Sequence, residues 1–101
     1  MYKTQSLGLL HAMEKLGNDM DVARKKRHLT IAALCERAAI SPGLYRRMVA
    51  GAPGTAVGAY AMVLFALGLG MPFDNLIDAG TDDTDLLLDE ERLPQRVRMR
   101  R

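Results

Sequence analysis

The chain has no tryptophan, one cysteine and two histidines among 101 residues, and aromatic side chains make up only 5% of it. A single cysteine excludes an internal disulfide and suits a reducing cytoplasm, the expected compartment. His11, His28 and Cys35 lie apart in sequence with no metal-ligand spacing, so neither a metal nor another cofactor is expected. The chain holds no phosphate-cradling glycine loop and no Ser-His-Asp set with positional support. Its carboxylates crowd towards one end, where nothing rigid would hold them at catalytic distance. These gaps point away from an enzyme. No segment approaches the roughly 18 to 20 apolar residues of a membrane span. The opening MYKTQSLGLLHAM lacks the basic front, long apolar stretch and small-residue cleavage site of a signal peptide, so no membrane partner is expected.

What is present favours helices. Hydrophobic residues make up 49% of the chain, and with so few aromatics Leu, Ala, Met and Val must do most of the packing. A domain this small gains from burying further surface, which makes a homodimer a reasonable expectation. Charge is unevenly placed. Residues 1 to 51 carry nine Lys/Arg against four Asp/Glu, a balance of +5, while residues 52 to 101 carry five against eight, a balance of −3. A basic first half favours a polyanionic partner more than the overall +2 does.

The apolar spacing predicts an all-α bundle of five or six helices over residues 1 to 80, followed by an acidic-then-basic tail over 81 to 101. Thr4 to Lys15 reads as an amphipathic helix with Leu7, Leu10 and His11 on one face. The step Gly17-Asn18-Asp19 either caps a second helix running to Arg27 or weakens one long helix. After the loop Ala52-Pro53-Gly54, Thr55 opens an apolar helix containing Val57, Tyr60, Ala61, Val63, Leu64 and Leu67. Gly68-Leu69-Gly70 ends it, and residues 72 to 77 form one last short helix. That apolar helix has more hydrophobic residues than one face needs. It is read either as a central core helix or, with Phe73, Leu76 and Ile77, as part of a dimer interface. In the tail, an acidic stretch interrupted by Leu86-Leu87-Leu88 precedes an Arg-rich end, a composition expected to be flexible, with the leucines able to anchor it on the domain or on a partner.

The most informative stretch is LTIAALCERAAISPGLYRRMVAG, residues 29 to 51. Ile31, Leu34, Cys35 and Ala38 form the stripe of one helix, with Thr30 before it as N-cap. The pattern breaks at Ala39-Ile40 and restarts at Ser41-Pro42, a capping residue followed by a residue tolerated at the first helical position. Tyr45 and Met48 continue the apolar stripe, and Gly51 supplies the stop. Two short helices joined by a tight turn match the helix-turn-helix, whose second helix enters the DNA major groove.

ARKKRHLTIAALCERAAIS, the Gly51 stop and the AMVLFALGL helix together resemble the lambda-repressor-like (Xre-type) DNA-binding domain. Over residues 5 to about 99 the arrangement is most similar to HipB-type antitoxins. The resemblance implies a five-helix domain carrying an extra N-terminal helix. It also implies a homodimer that binds a palindromic operator, represses its own operon and has a HipA-like kinase toxin as protein partner. The chain departs from that pattern at four positions. Ile31 stands where the family commonly has Gln. Pro42 and Gly43 stand where polar base readers are usual. Val49 stands where a Glu often pairs with the position of Arg24, so that Arg lacks its usual partner.

Pro42 and Gly43 have no hydrogen-bonding side chain and can contribute only shape and backbone to a DNA contact. Arg46 and Arg47 follow on the next turn. Either can donate two hydrogen bonds to guanine or pair with phosphate. Arg46 is favoured for the base and Arg47 for phosphate, with the exchange of roles left open. Leu44 either meets a thymine methyl or is partly buried. Lys25, Lys26 and Arg27 form a basic run that is either a phosphate contact or a solvated face. Thr30 and Ser41 can present helix N-termini to phosphate. Cys35 is read as a buried small hydrophobe. The competing reading, motivated by Ile31, Pro42 and Gly43, keeps the scaffold but makes the chain a protein-binding adaptor or antitoxin with weak or no specific DNA readout.

Overall fold

A computed structural model of the chain describes residues 6 to 80. They contain four α-helices, α1 (Leu7–Lys26), α2 (Ile31–Ala38), α3 (Pro42–Val49) and α4 (Val57–Ala66), followed by a 3-10 turn at Met71–Asn75. Among the described residues there is no strand, and the fold is all-α. The tail assigned to residues 81 to 101 lies outside the described residues, as does Thr4.

The expected number of helices needs correction. Of the two arrangements left open at Gly17-Asn18-Asp19, the single long helix is found, a 20-residue α1. Gly17 does not break it, because that glycine is buried where α1 crosses the end of α3. A Cβ at Gly17 would run into the carbonyl oxygens of Met48 and Val49. The missing side chain therefore serves close packing. Lys15 and Asp19, paired at 2.6 Å, bridge the same step along the exposed face. The last expected helix is the 3-10 turn and begins at Met71.

Three helices start on hydroxyl caps. Ser6, Thr30 and Ser41 accept hydrogen bonds of 3.0, 3.0 and 3.1 Å from the backbone N–H groups of Leu9, Ala33 and Leu44. All four helices end by one device. A residue in the left-handed region closes the helix while the next N–H reaches back to a carbonyl five residues earlier. That residue is His28 (φ 55°), Ala39 (φ 57°), Gly51 (φ 83°) and Gly68 (φ 79°) in turn. The returning bonds are Leu29 to Arg24, Ile40 to Cys35, Ala52 to Arg47 and Leu69 to Leu64. Ala39 makes the sharp turn between α2 and α3 without glycine, at a steric cost of about 1–2 kcal/mol. Part of that cost is recovered because alanine restricts the unfolded chain. Ala39→Gly is expected to raise stability by about 0.5–1 kcal/mol, read as the urea midpoint at unchanged m-value.

The core draws on every α-helix. Met20, Leu34, Cys35, Ala38, Tyr45, Met48, Tyr60 and Val63 are buried together. α2 packs chiefly on α4, and α3 is wedged between α2 and α1. Among the described residues no helix is long and apolar enough to cross a membrane.

Candidate nucleic-acid interface

Tyr45 and Met48 are fully buried, which fixes the rotation of α3 about its axis. The opposite face of that helix is thereby committed to solvent: Pro42, Gly43, Arg46 and Arg47 are all exposed, and Leu44 is half-buried. Among the described residues neither Arg46 nor Arg47 makes an ion pair or a hydrogen bond to a side chain. Two adjacent guanidinium groups thus stand free on the helix expected to read DNA. Thr30 and Ser41 are exposed at the starts of α2 and α3. Each hydroxyl oxygen is used in capping and its hydrogen remains able to donate.

The basic run at the end of α1 is split by the fold. Arg27 donates from Nε to the Leu67 carbonyl and from Nη1 to the Ala23 carbonyl, both at 2.9 Å, and so ties the end of α4 to α1. Lys25 lies 3.2 Å from Asp21 and keeps an exposed ammonium. Lys26 is exposed and has no partner among the described residues. Of the three expected phosphate contacts, Lys26 is the one not engaged within the fold.

Arg24 is half-buried and has a partner after all. Its Nε donates to Asp21 Oδ1 at 2.9 Å and its Nη1 to the Leu29 carbonyl at 2.7 Å. A carboxylate one turn back on α1 is thus the partner that the resemblance would have sought at position 49. The Tyr45 hydroxyl donates to the same Asp21 oxygen at 2.8 Å, which pins α3 to α1. Spacing along α1 suggests the Asp21–Arg24 and Asp21–Lys25 pairs. No sequence signal gives the Tyr45 contact.

This cluster has defined electrostatics. Burial opposes ionisation of Asp21, but hydrogen bonds from Arg24, Tyr45 and Lys25 outweigh it and hold the carboxyl below its ordinary value. Burial, aided by the bond to Asp21, pushes the Tyr45 phenol up to about 12. Asp21 therefore contributes stability above the ordinary carboxylate value of 3.8, and that contribution is lost as pH falls through its lower folded value. Tyr45 acts at the other end. Its contribution is whole below about pH 10, where the unfolded phenol ionises, and is lost towards the folded value of about 12. Asp21→Asn is expected to cost about 1–2 kcal/mol at pH 7 and to flatten the acid limb of a stability–pH curve. An unchanged acid limb would remove Asp21 from that role.

Cys35 is buried, and burial pushes its thiol up against the opposing fields of Arg46 and Arg24. It packs as a small hydrophobe. On the far side of the core, α4 is apolar all round. Ala59, Tyr60 and Val63 face inward, while Val57 (68% exposed), Met62 (45%) and Phe65 (57%) face outward. Leu76 and Ile77, after the 3-10 turn, are exposed as well. From Met48 to Phe73 no residue carries a charge. Among the described residues there is no group of three or more His, Cys, Asp or Glu able to hold a metal ion.

Comparison with protein-family models, with curated proteins and with solved structures finds no match for this chain.

Proposed function

We propose that the chain is a dimeric, sequence-specific DNA-binding repressor on a lambda-repressor-like helix-turn-helix, with Ser41 to Val49 as the recognition segment. The observation that carries this reading is the pair of free guanidinium groups on α3, opposite a face sealed by Tyr45 and Met48. A helix held rigidly from behind and positively charged in front suits insertion into a major groove. Lys26, Thr30 and Ser41 would meet phosphates at its flanks, and Leu44 a thymine methyl. The uncharged, outward-facing side of α4 supports homodimerisation, since a self-complementary contact there meets no like-charge repulsion. Two recognition helices set about 34 Å apart would then read the halves of a palindromic operator. We place this repressor in the cytoplasm as the antitoxin of a HipA-like kinase toxin, without catalytic activity of its own.

The second reading is a protein-binding adaptor or antitoxin with little specific DNA readout. Bare Pro42 and Gly43 at the tip of α3, together with the exposed apolar α4, favour it. Equilibrium titration with duplex DNA from upstream of the chain's own coding sequence separates the two. The repressor should bind that DNA about 1,000-fold or more tighter than random duplex at physiological salt. Equal affinity for both duplexes, or none, would favour the adaptor.

A further inference from the structure

Side chains on an α-helix lean towards its N-terminus, so a long residue covers the turn before its own. Arg47 does this to an unusual end. Its Nη1 lies 3.9 Å from the point where a Cβ at Gly43 would stand. One nitrogen of the guanidinium thus reaches back to ordinary contact distance of the first turn of α3, beside a residue with no side chain. That turn is the part of a recognition helix that meets base edges. Arg46, by the same spacing, leans back over Pro42, the first residue of α3, whose ring already fills that place. With that place taken, its guanidinium is left for the phosphates that flank the groove.

Resting on the DNA-binding reading above, we infer that Arg47, reaching back over bare Gly43, is the specificity-determining side chain and takes guanine as its base, while Arg46 is the phosphate contact. This exchanges the roles favoured on sequence alone. Arg47 supplies from the second turn the two-pronged donor that Pro42 and Gly43 cannot supply from the first. Its planar fork matches O6 and N7 of guanine and no other base in the major groove. Gly43 keeps that approach uncrowded, since a Cβ there would already touch the guanidinium at ordinary contact distance.

The test is selection from a randomised duplex library by the full chain and by Arg46→Ala, Arg47→Ala and Arg47→Lys, followed by affinity measurements on the selected sequences across a salt series. Arg47→Ala should lose the preference for one guanine per half-site, at a cost of about 10- to 100-fold on the selected sequence. Arg47→Lys should not restore that preference, because a point charge cannot reproduce a two-pronged contact. Arg46→Ala should weaken all duplexes alike and reduce the salt slope by about one. Selectivity that survives Arg47→Ala but is lost in Arg46→Ala would overturn this assignment and leave the repressor reading intact. A wild-type chain that enriches no sequence would overturn both. Both arginines are exposed and unpaired, so thermal melting should show all three variants folded.

Discussion

Replacing Arg46 and Arg47 together by alanine is expected to weaken operator binding about 100-fold or more while leaving the fold in place. Two effects combine in that figure. A bidentate contact to a base is worth about 1–3 kcal/mol, and each lost phosphate contact leaves a counterion unreleased. Neither arginine holds the protein together. The attachment of α3 runs through Tyr45 and Met48 in the core and through the Tyr45 hydroxyl on Asp21. The double variant should therefore melt within about 0.5 kcal/mol of the parent, the usual range for exposed positions. Fluorescence anisotropy on a labelled operator and a thermal melt check both halves. Operator affinity unchanged at physiological salt would rule out docking through α3. An unfolded variant would show that the exposed face carries structure we assign elsewhere.

A second large effect is expected from the smallest possible change. On an exposed stretch of helix, Gly→Ala stabilises by about 0.5–1 kcal/mol. At Gly17 the sign should reverse, because the new methyl would meet backbone carbonyls of Met48 and Val49, which cannot rotate away. The end of α3 must then move off α1, at a cost of about 2–3 kcal/mol. For a domain of this size that lowers the melting temperature by about 10–20 °C. Gly58 is the internal control, since nothing lies within 4 Å of where its Cβ would stand. Gly58→Ala should be neutral or slightly stabilising. Because α1 and α3 share this seam, Gly17→Ala should also blunt DNA binding with every DNA-facing side chain intact. A Gly17→Ala protein as stable as Gly58→Ala would refute the packing described.

These two glycines also mark what the sequence can and cannot reveal. The helix α3 was legible because its signals are local: a hydroxyl cap at Ser41, Pro42 at the first position, Tyr45 and Met48 three apart, and a glycine stop. The ends at Gly51 and Gly68 were legible for the same reason. The same device at His28 and Ala39 was not, because neither residue type announces a left-handed conformation. At Gly17 a helix break and a continuous helix both stayed open, because the carbonyls that glycine accommodates belong to a distant part of the chain. Arg24 to Arg27 read as one basic run, yet Arg24 is drawn to Asp21 and Arg27 to the end of α4. Only folding divides such a run. Arg24 seemed without its usual partner only as long as that partner was sought at position 49, when a carboxylate stood one turn away on the same helix.

Methylation interference on the operator offers the most direct measurement. Methylating guanine N7 blocks the major-groove edge, and methylating adenine N3 blocks the minor groove. If α3 lies in the major groove, N7 methylation at guanines in two clusters about 10 base pairs apart should abolish binding, and N3 methylation should not. Binding indifferent to N7 methylation would contradict the placement of this helix, and the function built on it.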